Sequence, residues 1–306
     1  MKKLLLLAVL CPMVARADTL PLDDALRATY NACVGIDEEL ADLKKMAGIN
    51  TAVTAVGTGL GAGATVVGIV KASKDAKAKA KYDDYVKKPP REVLSQSSMD
   101  AFFYKWKTEF SNDAMEYDKL RQQSKKLGDW RTGLMAGSAA TSITSAVLAG
   151  RNKVSDDLQG QIDNCRASVK ELKNSIAMAR TQGVDVTEAV AIANTCGEFE
   201  YVDISKINKR ARGAMISSVV GAATGVAGTV TSGVANSESV RKDNSAKSGE
   251  KSKSDLNKEK NINTAANVLA GASTAASATA TIFNATQISA IKKVAVVAEK
   301  CTGVLK

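Results

Sequence analysis

The 306-residue chain contains no histidine. That absence removes the Ser-His and Cys-His nucleophile pairs and the commonest zinc and haem ligand. Aromatic side chains are scarce, with 2 Trp, 6 Tyr and 5 Phe, and only 4 prolines occur. A chain so poor in rings gives little support to β-structure and is short of material for a large conventional core. No C-x-x-C spacing occurs, which argues against a redox or zinc motif of that kind. The acidic pairs Asp23-Asp24, Asp83-Asp84 and Asp156-Asp157 are adjacent residues, which point in different directions on a helix and make no catalytic carboxylate pair. The expectation is a protein that is not an enzyme, with no cofactor, no metal and no small-molecule substrate.

What is present speaks first of compartment. Lys2 and Lys3 precede a short apolar run that ends at Ala15-Arg16-Ala17, which reads as a cleaved bacterial Sec signal peptide over residues 1–17. The rival reading, Cys11 as a lipidated first residue, has Leu10 where a small residue belongs. Cleavage would lower the formal charge from +10 to +7 and leave Cys33, Cys165, Cys196 and Cys301. Four thiols in an exported chain imply two disulfides. The expected location is across the inner membrane: periplasmic, envelope-membrane associated or secreted.

Four blocks are free of charge, Thr51 to Val70, Gly133 to Gly150, Gly213 to Ala235 and Thr264 to Phe283, and all are built mainly of Ala, Gly, Ser, Thr and Val. Charged stretches with apolar residues at helical spacing separate them. In the first helix a heptad row runs from Leu22 through Leu26, Thr29, Cys33, Ile36, Leu40, Leu43, Ala47, Asn50 and Thr54 to Gly57, Gly61, Ala64 and Gly68. A second row repeats at Leu120, Leu127, Leu134, Thr141 and Leu148, and on through Ser155, Ile162, Val169 and Ile176. In the third block Gly213, Ser217, Gly221, Gly225, Thr229 and Gly233 fall four apart, and in the fourth Gly271, Ala275 and Thr279 do so. Such rows of small residues let helix backbones approach closely, a glycine-zipper pattern.

Turn signals divide these helices. Pro89 and Pro90 stop one, with Ser98 or Asp100 to cap the next; Gly183 ends another, followed by an Asp185 to Glu188 capping box. The charged run 236–261 reads as a flexible loop. The fold expected is all-α: two long antiparallel helical hairpins, 18–182 and 185–306, in a four-helix, coiled-coil-like bundle. Each cysteine lies about 24–28 residues from the middle of its block, so antiparallel packing brings all four to one end. Pairing Cys33 with Cys165 and Cys196 with Cys301 staples each hairpin; the alternative pairs Cys165 with Cys196 and Cys33 with Cys301.

The blocks have the length of membrane spans and basic flanks, yet the fourth is barely apolar, so water and lipid both remain open as the surrounding medium. The first glycines can be forced onto a dinucleotide pattern at Gly57, Gly59 and Ala62, but heptad continuity contradicts the strand and sheet that it needs. Phe103, Trp106, Phe110 and Tyr117 share one helical face; they either close the hairpin tip or meet a membrane or protein partner. Ala-Lys repeats such as KDAKAKAKYDD present solvated faces or contact anionic lipid, and nucleic acid is not expected as a partner. The functional expectation is a structural or interaction component of the cell envelope, with a membrane or envelope protein as partner and self-association through the small-residue seams. The alternative is a membrane-inserting or pore-forming helical-hairpin effector.

Overall fold

The computed structural model describes residues 21–86, 96–243 and 251–306, with side chains over 21–83, 111–243 and 251–306. The signal-peptide reading, the Pro89-Pro90 turn and the side chains of Phe103, Trp106 and Phe110 lie outside these residues. Every regular element among those described is helical: α1 (Leu22–Cys33), α2 (Ile36–Val86), α3 (Gln96–Arg151), α4 (Asp156–Thr181), α5 (Thr187–Gly197), a short 3-10 turn (Glu198–Tyr201), α6 (Ser205–Asn236), α7 (Glu238–Arg241) and α8 (Lys253–Leu305). This is the all-α helical bundle expected.

The two longest heptad rows are each interrupted once. Val34-Gly35 separates α1 from α2, and Gly35 takes φ +93°, a backbone state that costs only glycine little. Asp37, Glu38 and Glu39 then restart the helix at its positive end. The second break lies at 152–155, where the Ser155 hydroxyl accepts a hydrogen bond from the Leu158 N–H and caps α4. Gly183, at φ +74°, ends α4, and the Asp185 carboxylate accepts from the Thr187 N–H to start α5.

The chain forms two compact units that cut across the two hairpins. Unit 1 comprises residues up to Asp42, Val154–Ile204 and Lys292–Lys306; unit 2 comprises Leu43–Lys153 and Ser205–Ile291. Unit 1 has a conventional core of Ile36, Leu40, Leu158, Ile162, Val169, Leu172, Ile192, Phe199 and Val294. Cys33 is bonded to Cys165 and Cys196 to Cys301, the one-staple-per-hairpin pairing. The sulfurs of Cys33, Cys165 and Cys301 lie within 4.8 Å of one another, so the two disulfides sit side by side. They close 132 and 105 residues of chain, which in the chain-entropy account restricts the unfolded state by about 5 kcal/mol each.

Unit 2 packs parts of α2, α3, α6 and α8 around one another. The pairs Gly57 with Ser138, Gly68 with Arg131 and Tyr82 with Tyr117 show α2 and α3 running antiparallel. Ser145 with Ser218 and Arg131 with Ser232 do the same for α3 and α6, and Asn50 with Asn284 for α2 and α8. Three stretches, Leu22–Asp83, Ser111–Thr181 and Thr187–Asn236, are long and apolar enough to cross a membrane; α8 is not among them.

The packing rows need correction in three helices. In α6 the buried row is Ile207, Ala211, Ala214, Ser218, Gly221, Gly225, Gly228, Ser232 and Ala235, which alternates steps of three and four. A strict four-residue row drifts about 40° per step around a helix of 3.6 residues per turn, so it leaves the seam. Gly221 and Gly225 therefore sit in it, whereas Ser217 is half-buried and a methyl on Gly233 would meet nothing within 4 Å. Gly213 instead receives the ring of Phe283. In α8 the seam is Ala266, Ala270, Ser273, Ser277, Ala280, Asn284, Gln287 and Ile291; Gly271 faces open space and Ala275 is exposed. In α3 the expected leucine row is only half-buried, and the buried row is Tyr117, Arg121, Ser124, Gly128, Arg131, Met135, Ser138, Ser142, Ser145 and Ala149.

The first-helix seam sits where its spacing put it. A Cβ on Gly57 would lie 2.5 Å from Thr141 Oγ1, and one on Gly61 would lie 2.7 Å from Thr274 Oγ1. One on Gly68 would collide with Asn267, and Ala64 is fully buried against Met135 and Ala270. Gly225→Val, whose first added carbon alone would lie 3.0 Å from Ala139 Cβ and 3.1 Å from its Cα, is expected to lower stability by about 1–3 kcal/mol. Gly271→Ala should leave it unchanged or raise it by up to about 1 kcal/mol. Thermal unfolding of the two variants, followed by circular dichroism, checks the pair; equal effects would contradict the assigned seam.

Candidate functional site: a polar interior with an ion-paired end

The interior of unit 2 is made mainly of small residues, Ala, Gly and Ser, with buried amides and a few larger apolar side chains such as Met135, Ile207 and Ile291. At its centre the Ser138 hydroxyl donates to the Gly57 carbonyl at 3.1 Å and lies 3.3 Å from the Ser273 hydroxyl, which in turn donates to the Gly221 carbonyl at 3.2 Å. Two serines thus connect all four helices in one layer. Each reaches a backbone carbonyl, which requires the neighbouring helix to present glycine there.

Further layers repeat the theme in both directions. Ser142 meets Ser277 at 3.2 Å, Ser145 meets Ser218 at 2.8 Å, and the Asn50 amide donates to Asn284 at 3.0 Å. In the other direction the buried Arg131 guanidinium donates to Ser232 at 2.7 Å, Asn267 at 2.8 Å and Asn263 at 3.2 Å. The hydrogen bonding stops short beside Asn152, where Asn152 Oδ1 and Nδ2, Asn50 Oδ1 and Gln287 Oε1 are buried without a protein partner. Outside this polar column the exposed surface carries large apolar residues: Val56 57%, Val66 59%, Val226 48%, Val230 62% and Ile282 64% exposed. Across the charge-free band unit 2 thus buries mainly small and polar side chains and exposes Val and Ile, whereas unit 1 buries large apolar ones.

The hydrogen-bonded register also aligns the four segments that lack charge, 46–70, 132–150, 213–237 and 261–291. The Gly57–Ser138–Ser273–Gly221 layer passes near the middle of each. The shortest, 132–150, is about 28 Å long at 1.5 Å per residue, close to the thickness of a bilayer hydrocarbon core. Within unit 2 the exposed large apolar residues of these helices fall in the same band, except Trp130 at its edge and Met115 beyond it.

Past Arg131 the interior becomes ionic. Arg121 pairs with Glu259 at 2.6 Å, Asp243 at 2.6 Å and Asp75 at 3.3 Å; Arg241 pairs with Asp243 at 2.9 Å and Lys251 with Glu259 at 2.7 Å. The run 236–261, expected to be a flexible loop, therefore carries buried anchors, Arg241 and Lys251, and turns helical from Lys253. Desolvation holds the Lys251 ammonium below its usual range. Burial works against the Asp243 carboxylate, but Arg121 and Arg241 outweigh it and keep its pKa below 3.8. Since every acid of this cluster is held by a guanidinium or an ammonium, the arrangement fixes helix ends and does not relay protons.

Tyr117, expected as a partner or membrane contact, is 7% exposed and packs with Tyr82 and Ala78, with ring centroids 5.9 Å apart from Tyr82. It closes the α2–α3 pair, the packing role. Beside it a cavity of about 390 Å³ opens between α2 and α8, lined among others by Tyr82, Tyr117, Leu256 and Glu259. Sequence reading missed this ionic end because its hub, Arg121, meets Asp243 and Glu259 more than a hundred residues away.

Asp243, with its pKa lowered from 3.8, and Asp255, lowered to about 2 by hydrogen bonds from Lys242 and Ser252, set an acid limit. Both have a folded pKa below the unfolded one, so their stabilisation is present above about pH 4 and is lost as pH falls towards 2. Thermal midpoints should hold steady from pH 7 to 5 and drop below 4, and Asp243→Asn should flatten part of that drop while lowering the neutral-pH midpoint.

No protein-family model, curated protein or solved structure matches the chain.

Proposed function

We propose that the chain is a structural component of a bacterial cell envelope, in which unit 2 is embedded in a bilayer and unit 1 is its disulfide-stapled domain on the oxidising side. The observation that carries this reading is the reversed polarity of unit 2. A helical bundle in water hides apolar residues and exposes polar ones. In lipid there is no hydrophobic force between helices, so they associate through small residues and interhelical hydrogen bonds and turn Val and Ile outward. The Ser138–Ser273 layer, the glycine contacts and the outward valines fit the second solvent.

Connectivity supports one orientation. The chain passes between the units at 42/43, 153/154, 204/205 and 291/292, all at the same end of the charge-free segments. Four crossings therefore leave all four cysteines on one side, which disulfide formation requires to be oxidising. The Lys-rich stretches 71–81 and 251–260 fall on the other side, as the positive-inside tendency prefers. Export by the N-terminal signal reading is consistent with that arrangement. Catalysis has no part in this reading; the work of the protein would be anchorage and association through its outer surface.

Fractionation tests it. The protein should stay in the membrane pellet after alkaline carbonate, and protease added to the oxidising side should reach 154–204 but not 71–83. Extraction by carbonate would contradict membrane embedding. Release of dye from liposomes on adding soluble protein would instead favour the inserting effector.

A further inference from the structure

The two ends of the charge-free band in unit 2 both carry exposed cations and differ in how many acids sit among them. At the Arg121 end the buried cations Lys71, Arg121, Arg241 and Lys251 pair with acids, and Lys81 and Lys242 have carboxylate partners at 2.8 Å each, while Lys77, Lys125, Lys126, Lys258 and Lys260 are exposed. At the opposite end, residues 43–47, 150–153 and 205–213 include no acid, and Asp42 is the acid that lies at their level. Lys44 and Lys45 on α2, Arg151 and Lys153 at the end of α3, and Lys209 and Arg212 on α6 are all exposed there. None of the six makes an ion pair or side-chain hydrogen bond with any described residue.

Register places these six at one level. Ser145 with Ser218 fixes α6 against α3, so Arg212 lies level with Arg151. Ser138 with Gly57 fixes α3 against α2, so Arg151 lies level with Lys44 and Lys153 level with Asp42. The six span about four residues along the bundle, some 6 Å of rise, directly beyond the apolar band. Three neighbouring helices thus carry a basic collar where the exposed surface changes from Val and Ile to charge.

We infer that this collar binds anionic phospholipid headgroups, phosphatidylglycerol or cardiolipin in class, in the leaflet on the side of the cysteines. The inference rests on the membrane reading above. Long Lys and Arg side chains extend from a helix end to the headgroup phosphates, and a guanidinium donates hydrogen bonds to two phosphate oxygens at once. Six unpaired cations crowded together repel one another, which an anionic lipid ring relieves. Each basic residue near an anionic surface contributes about 1 kcal/mol, about a fivefold preference. At the opposite end acids such as Asp75, Asp129, Asp243 and Glu259 lie among the cations and reduce that gain.

The test uses the full chain purified in a neutral detergent and titrated with phosphatidylglycerol or phosphatidylcholine, with the thermal midpoint and retained lipid by native mass spectrometry as readouts. Phosphatidylglycerol should raise the midpoint and remain bound, and phosphatidylcholine should do neither. The preference should weaken as NaCl rises to about 0.5 M, since screening acts on exposed charges. The quadruple variant Lys44→Gln, Lys45→Gln, Lys209→Gln, Arg212→Gln alters only exposed positions and should lose at least tenfold of the preference. Equal response to both lipids by a protein that survives carbonate washing overturns the collar and leaves membrane embedding intact. An undiminished preference in the quadruple variant also overturns it, and washing of the protein from membranes overturns the embedding on which both depend.

Discussion

Everything in unit 2 depends on helix backbones coming close enough for a serine hydroxyl to reach the carbonyl of the next helix. Ser138 on Gly57 and Ser273 on Gly221 meet that condition, and together they tie four helices in one layer. Side chains larger than glycine at those carbonyls would push the helices apart and leave the hydroxyls without partners. The small-residue composition and the polar interior are therefore one constraint seen twice. Once polar groups take the inside, the β-branched apolar residues have only the outside left, and the outside then calls for a solvent that accepts them.

Unit 1 obeys the same heptad geometry with the opposite chemistry. Ile162, Leu172 and Phe199 fill its core, and the Arg166 guanidinium donates to the Phe199 and Val202 carbonyls at 2.9 and 2.6 Å to hold the turn after α5. The adjoining disulfides add a constraint on the unfolded chain that a small apolar core alone would lack. A single seam, continued past Gly35 from α1 into α2, thus serves an apolar core at Ile36 and Leu40 and a polar one at Asn50 and Thr54.

What was readable from sequence follows from this division. Spacing placed Cys33, Ile36 and Leu40, and it placed Gly57, Gly61, Ala64 and Gly68, because an alternation of three and four tracks a helix face whatever the side-chain size. Counting from block centres brought the four cysteines together for the same reason. In α3 the leucines misled, since in a bundle of reversed polarity the large apolar residues mark the flank and Arg131, Ser138 and Ser145 mark the interior. In α6 and α8 the four-residue glycine rows drifted off the seam. The ionic end was invisible because Arg121, Asp243 and Glu259 are far apart in sequence, and composition around Arg241 and Lys251 resembles that of a solvated loop.

The central claim is that lipid surrounds the outward Val and Ile side chains of unit 2. Single spin labels at Val56, Val66, Val226 and Ile282 in reconstituted protein measure this through collision with oxygen and with a water-soluble nickel chelate. The account predicts high oxygen and low nickel access at all four, with the deepest values near Val56 and Val226, level with the Gly57–Ser138–Ser273–Gly221 layer, and high nickel access at a label on Lys209. Nickel access at Val226 equal to that at Lys209 would contradict it.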